Sequence, residues 1–500
     1  MRNQVQLIVY ADRFGGSIPQ ASATIREVFG DAVGGVHLLP FFTPYDGADA
    51  GFDPTDHTVV DPRLGTWDDV RELGSTHDTV VDVIVNHVSA QSPQFRDVVA
   101  HGEGSEFADM FLTFSSVFPD GATEADLTGI YRPRPGLPFS PVTLGGRLRL
   151  AWTTFTSQQV DIDVRSAAGA AYLEQVLTTL AAAGVRLVRL DAVGYAVKTP
   201  GTTSFMTPQT LAFIDAFTAR ARELGLEVLV EVHSYYRTQV EIGARVDRVY
   251  DFALPPLVLH ALTTGDVVPL RDWLRIRPQN AVTVLDTHDG IGVIDVGPDQ
   301  AGTGAPGLLT PDQIDRLVEG IHERTHGDSR RATGASASNL DLYQVNATFY
   351  DALGADDRLY LAARALQFFT PGIPQVYYVG ALAGGDDMAL LERTGVGRDI
   401  NRHVYTAEEI AAEAARPVVA ALIALMRLRS THPAFDGTCE VSEVAQGAAG
   451  RLALTWTHGD ARTSLTVDAA AGTAALTWTR QDGTTAEIVD LLDVEGLRDL

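Results

Sequence analysis

Five hundred residues with 45% hydrophobic and 20% charged side chains make a globular chain long enough for a large core and more than one domain. A net charge of −26 sets the surface against nucleic acid and anionic membranes, though not against a small anion held by a local basic site. The single cysteine, Cys439, excludes an internal disulfide and fits a reducing compartment, and nothing points to a zinc cluster.

The amino-terminal stretch MRNQVQLIVYADRFGG reads as a short strand and a Gly turn. It lacks the long apolar core and small-residue cleavage site of a signal peptide. No apolar run reaches the length of a membrane span, so a cytoplasmic protein is the expectation. Apolar strand patterns recur at Gln4–Ala11, Gly35–Phe41, Thr79–His87, Val185–Val193, Glu227–His233, Arg248–Leu254, Asn280–Asp289 and Gly372–Val379. Helical patterns lie between them, at Ala167–Ala183 and at Thr207–Leu224, the latter opened by a Thr-Pro signal. Eight strands alternating with helices predict an α/β fold, a (β/α)8 TIM barrel.

Two connections are too long for such a barrel. About ninety residues separate the third and fourth strands, rich in Pro, Gly and aromatics (MFLTFSSVFPDGAT, YRPRPGLPFSP), and predict an inserted small domain. The segment after Asp289 holds Gly/Pro turns, a helix at Pro311–Thr325 and the polar loop GASASNLDLYQVNATFY, and predicts a second insertion over the barrel mouth. A single helical run is expected from Ala407 to Arg429. Beyond it RLALTWTH, TSLTVDAA and AALTWTR alternate apolar and polar residues, which predicts a C-terminal antiparallel β domain. The expected boundaries are barrel 1–85, inserted domain B 86–166, barrel 167–290, inserted domain B′ 291–354, barrel 355–434 and β domain 435–500.

Four of the strands carry ionisable residues at their carboxyl ends, where a barrel places its active site. They are Asp82, Asn86 and His87 in TVVDVIVNH, Asp191 in VRLVRLDAVGY, Glu231 and His233 in EVLVEVH, and His288–Asp289 in NAVTVLDTHD. Arg189 and Asp191 share a strand face, so the arginine is expected to keep the carboxylate ionised, either for covalent chemistry on a sugar or as a structural salt bridge.

Together DVIVNH, RLDAVGY, EVH and TVLDTHD resemble the four signature regions of the α-amylase superfamily, glycoside hydrolase family 13, in the family's order. Within it the chain is similar to the sucrose phosphorylase branch, through LPFFTPYDGADAGFDPTDH, GIYRPRPGLPFSP, VDIDV, EVHSYY, VYDFALPPLVLHAL, ASNLDLYQVN and GRDINRH. The resemblance implies retaining glucosyl transfer by double displacement: reversible phosphorolysis of sucrose to α-D-glucose 1-phosphate and fructose, with inorganic phosphate as the second substrate. It implies Asp191 as nucleophile, Glu231 as acid and base, and Asp289 as the third acid. His87 and His288 would bond the glucose ring, Asp49 and Arg398 would clamp its far end with Gln159 nearby, and Phe52 and Phe155 would stack on it. Arg189 joins the substrate-binding set through its place beside Asp191.

Phosphate requires donors where the leaving sugar sat. Arg134 in the Pro-rich loop is the first choice, with Tyr195, His233, Tyr343 and Gln344 around it and Asp341 on the fructose side. The resemblance implies no organic cofactor and no metal; the sequence shows no oxygen-ligand cluster near Asn86, where many amylases hold calcium. It also implies a homodimer. The competing readings are a phosphorylase for sucrose 6′-phosphate, glucosylglycerol or glucosylglycerate, a sucrose hydrolase or isomerase, and a non-catalytic amylase-like subunit. The three acids disfavour the last. The acceptor-side loops Gly129–Phe139 and Asn339–Asn346 carry few extra basic residues, which disfavours a phosphorylated acceptor.

Overall fold

The computed structural model describes residues 1–299, 304–333, 344–443 and 450–497. Its centre is a closed barrel of eight parallel strands: β1 (Gln6–Val9), β2 (Gly35–Leu38), β3 (Asp78–Ile84), β4 (Leu187–Asp191), β5 (Glu227–Val230), β6 (Arg248–Asp251), β7 (Ala281–Thr283) and β8 (Ile373–Tyr377). Each pairs with its neighbours in sequence, and β8 closes on β1. The strands are buried on both faces almost throughout, which is why they read as continuous apolar runs rather than alternating ones. All eight predicted strands are present, most of them shorter. β5 stops at Val230 and β7 at Thr283, so Glu231, His233, His288 and Asp289 sit on irregular backbone past the strand ends.

The helices start where their caps predict. Ser166 caps Ala167–Ala182, and Thr207 caps Pro208–Glu223 with Pro208 in the first turn. Thr310 and Gln313 form a capping box on Pro311–Arg324. The single helix expected over Ala407–Arg429 is instead two, Ala407–Ala414 and Pro417–Thr431. Pro417 forces Arg416 into an extended conformation (ψ 140°), which ends one helix and starts the next.

Between β3 and the helix Ala167–Ala182 lies a segment with its own small core of Leu112, Val117, Phe118 and Trp152. It contains the hairpin Phe139–Leu144/Arg147–Trp152 and is tied to the barrel by the short antiparallel pair His87–Ser89/Gln159–Asp161. Beyond β7, Ile291–Gly292 pairs with Gln344–Val345 and brings that second connection back over the barrel. The carboxyl-terminal sheet is a five-stranded antiparallel meander: β9 (Thr438–Glu443), β10 (Arg451–His458), β11 (Ala461–Asp468), β12 (Thr473–Thr479) and β13 (Thr485–Ile488). It docks on the helix Asp357–Phe369, where Trp456 Nε1 donates to the Phe369 carbonyl at 2.8 Å.

At the junction between inserted segment and barrel, Asn86 faces a buried lysine. Oxygens do gather there: Asn86 Oδ1 and Asp161 Oδ2 each lie 2.6 Å from Lys198 Nζ, and the Tyr195 carbonyl accepts from it as well. The cluster was illegible because its members come from three separate stretches, around Asn86, Asp161 and Tyr195–Lys198. Lys198 and Asp161 are essentially without solvent exposure, at 1% and 0%. Breaking a buried pair leaves the other charge uncompensated and costs about 3–5 kcal/mol. Lys198→Met is therefore expected to lower stability by about that amount and to open the inserted segment to limited proteolysis before the barrel is cut.

Candidate active site

The floor of the site is set by register. Arg189 on β4 lies directly beside Asp82 on β3, and both point into the barrel. Arg189 Nη1 donates to Asp82 Oδ1 at 2.6 Å and to Asp191 Oδ1 at 2.8 Å, and Nη2 lies 3.4 Å from Glu231 Oε1. On its far side Asp82 Oδ2 meets His37 Nε2 at 3.0 Å. Burial opposes ionisation of Asp82, yet His37 and Arg189 outweigh it and hold the carboxyl below its usual range.

Asp191 behaves differently from expectation. Burial pushes its carboxyl well up; Arg189 opposes this, and Glu231 and Asp82 push it further up. One guanidinium divided among three carboxylates does not offset the desolvation of Asp191. Arg189 also does not line the cavity: it is buried beneath the acids and acts on them from below.

The backbone bends sharply after Asp191. Ala192 adopts a left-handed conformation (φ 54°, ψ 21°), and its N–H donates to Glu231 Oε2 at 3.3 Å. A Cβ on Gly194 would lie 2.6 Å from the Phe205 ring, so only glycine lets that aromatic approach.

One side of the cavity is sealed and preorganised. Arg398 Nη1 lies 3.0 Å from Asp289 Oδ1 and 4.0 Å from Asp49 Oδ1. Although buried, Asp289 is held well below the carboxylate range by Arg398 and then His288. Gln159 Nε2 donates to Asp49 Oδ2 at 3.1 Å and lies 3.1 Å from His87 Nε2. The DGADAGF loop is shaped by Asp53, which accepts from the N–H groups of Ala48 and Asp49. His288 stacks on Phe52 (4.7 Å, 11°), and His87 Nε2 lies 3.0 Å from the Phe52 carbonyl. Burial pushes His288 down to about 3 and lowers His87 too, so both rings are neutral hydrogen-bonding groups at pH 7.

The opposite side is aromatic and basic. Tyr195, Phe155, Phe205 and Tyr131 form a continuous aromatic wall. Arg134, His233 and Gln344 line the cavity beside it. The Arg134 loop is shaped by its neighbour: Arg132 donates to the carbonyls of Thr154, Pro135, Leu137 and Phe155 at 2.8–3.0 Å. No hydrogen bond or ion pair engages Arg134 among the described residues, and its buried Nε is unpartnered there.

The cavity thus gathers Asp49, Phe52, His87, Arg134, Phe155, Gln159, Asp191, Tyr195, Glu231, His233, His288, Asp289, Gln344 and Arg398 from the predicted set. Asp341 and Tyr343 lie outside the described residues. Sequence reasoning missed Tyr131 and Phe205. Tyr131 stood one residue before the basic Pro-rich motif and was legible as its start; Phe205, in the small-residue loop GTTSFMTP, carried no local signal.

Eight parallel strands with this constellation at their carboxyl ends define an α-amylase-type barrel, and the alpha amylase catalytic-domain family matches residues 32–241. The chain is 57% identical to the sucrose phosphorylase of Bifidobacterium adolescentis, over 94% of this chain and 92% of that one. It is 60% identical to the sucrose phosphorylase of Agrobacterium vitis, over 91% and 93%. The crystal structure of sucrose 6F-phosphate phosphorylase from Thermoanaerobacter thermosaccharolyticum superposes with a TM-score of 0.89 at 36% identity, over 98% of both chains. The chain belongs to the sucrose phosphorylase branch of the α-amylase family and is an enzyme of that glycosyl-transferring type.

Arg189→Lys tests the shared cation. A lysine keeps the charge but presents a single ammonium instead of a planar fork, so it cannot serve three acids at once. Turnover is expected to fall by about a hundredfold or more, with the circular-dichroism spectrum unchanged.

Proposed function

We propose that the enzyme catalyses reversible phosphorolysis of sucrose to α-D-glucose 1-phosphate and D-fructose. The observation that carries this reading is the polarity of the cavity: one side sealed by Asp49, Arg398 and Gln159, the other bearing a guanidinium with no carboxylate against it among the described residues. A sealed side accommodates a single glucosyl unit. An unneutralised arginine across the acid pair suits an anionic acceptor. Identities of 57% and 60% to sucrose phosphorylases, against 36% to the sucrose 6F-phosphate enzyme, favour sucrose over its phosphorylated analogue.

In this mechanism glucose occupies the sealed side. Neutral His87 and His288 exchange hydrogen bonds with its hydroxyls, and the Asp289 carboxylate, held by Arg398, stabilises positive charge developing on the ring. Asp191 attacks the anomeric carbon while Glu231 protonates the departing fructose oxygen, leaving a β-glucosyl ester. Fructose leaves and phosphate enters beside Arg134 and Tyr195. Glu231, now a base, takes the phosphate proton as a phosphate oxygen attacks the same carbon. Two inversions restore the α-configuration.

The direct test is to incubate the protein with sucrose with and without inorganic phosphate, assaying α-glucose 1-phosphate and free glucose. Phosphate-dependent glucose 1-phosphate is expected; glucose released regardless of phosphate would make it a hydrolase, and inertness would point to another α-glucoside. Asp191→Ala should lower turnover by about four orders of magnitude or more without unfolding the barrel. Arg134→Ala should raise the KM for phosphate by about tenfold or more while hydrolysis of sucrose in its absence changes little. An equal loss of both activities would count against the phosphate role.

A further inference from the structure

His233 is held from behind more firmly than a surface ligand requires. Its Nδ1 lies 2.9 Å from Asp295 Oδ2, and its ring stacks on Phe252 at 3.8 Å and 18°. Asp295, on the turn Ile294–Val296, is fully buried. Its second oxygen accepts from the Ser234 N–H at 3.1 Å and from Gln239 Nε2 at 2.9 Å. The packing around the pair is close: a Cβ on Gly292 would lie 2.8 Å from Asp295 Oδ2 and 3.3 Å from His233 Nδ1. A buried carboxylate facing a ring nitrogen at this distance places a proton on Nδ1. The ring's other nitrogen, Nε2, lies on the side of Glu231, 4.0 Å from its Oε1.

The charges around the ring decide whether Nε2 carries a proton as well. Asp295 lies behind it, and Glu231 and Asp289 lie past the ends of β5 and β7. Arg134 of the inserted segment lines the same cavity. Glu241, on the helix Tyr236–Gly243, and Asp299 line an adjoining hollow with His233. Arg398 and Arg189 stand against Asp289 and Glu231 themselves, so Asp295 is the carboxylate in direct contact with the ring. Burial alone would lower the ring's pKa, but Asp295 and then Glu231 and Asp289 outweigh burial and raise it. The need for such a cation is greatest in the glucosyl-enzyme. Glu231 has then given up its proton, and an incoming phosphate must approach an anionic carboxylate.

We propose that Asp295 is a positioning residue that keeps the His233 ring doubly protonated, so that Nε2–H is presented to the phosphate attacking the glucosyl ester. The inference rests on the phosphorolysis reading above. Since the ring's pKa is raised, the imidazolium persists above the ordinary histidine range, and phosphate use declines as pH rises through that pKa.

The test is Asp295→Asn, which preserves size and removes the charge. The expected result is a rise of about tenfold in the KM for phosphate and a shift of the alkaline limb of phosphate use to lower pH. Sucrose hydrolysis without phosphate should stay within about twofold. Asp295→Glu should recover part of the phosphate affinity. Comparison with the parent enzyme cancels the titration of phosphate itself. A purely structural residue would lower both activities together and leave the pH limb in place. Independently, the His233 resonance in ¹³C-histidine NMR, assigned by its loss in His233→Gln, should titrate above about 6.5 in the parent enzyme and fall in Asp295→Asn. An unchanged phosphate KM and pH limb in Asp295→Asn would overturn the proposal. So would a parent His233 that titrates at or below the ordinary value, a result that stands even when the Asn variant does not fold. Absence of glucose 1-phosphate from the parent enzyme would instead overturn phosphorolysis, and the NMR titration would still judge whether Asp295 charges His233.

Discussion

A single guanidinium faces three carboxylates at the base of this barrel. Arg189 touches Asp82, Asp191 and Glu231; Asp82 also faces His37, and Glu231 accepts from the Ala192 N–H. Each buried carboxylate left uncompensated costs several kcal/mol, and burial raises the Asp191 carboxyl despite Arg189. The same arginine that positions the acids thus opposes the protonation of Asp191 without cancelling the effect of burial. The parallel register that pairs Arg189 with Asp82 across β3 and β4 is what makes the sharing geometrically available.

Around that floor the cavity divides electrostatically. On the sealed side burial strips the charge from His87 and His288, and Asp289 stays ionised through Arg398. Such groups exchange hydrogen bonds with hydroxyls and stabilise positive charge at a sugar ring. On the open side Asp295 raises His233 while Arg134 stands without a carboxylate among the described residues. Identical residue types, histidine and arginine, thus take opposite roles according to which carboxylates stand behind them.

The barrel was legible in the sequence because its strands are buried on both faces and its helix starts carry their own caps; both signals are local. The acids were legible because each follows an apolar run by position alone. What sequence reading lost depends on tertiary distance. Asp161, Asn86 and the pair Tyr195 and Lys198 come from three stretches, and no periodicity joins them. Asp295 stood in the motif GIGVIDVG, yet nothing in that motif indicates His233 as its partner. The break at Pro417 was a local signal and readable, but the apolar content on both sides hid it. Arg189 illustrates a subtler loss: its position beside Asp191 was correct, while its influence on ionisation depended on two further carboxylates that only the fold assembles.

A chain of net charge −26 cannot rely on its overall field to attract an anion, such as the phosphate of the proposed reaction. The Arg134 loop shows how the local exception is built. Pro133, Pro135 and Pro138 restrict the backbone, and Arg132 ties it down through four main-chain carbonyls rather than through acids. Carbonyls satisfy the donors of Arg132 without bringing a negative charge into the loop. Had a carboxylate anchored it, that charge would stand beside Arg134 and weaken its pull on any anion in the cavity. The loop is thus held by dipoles so that one guanidinium, two residues further on, keeps its full charge for the cavity.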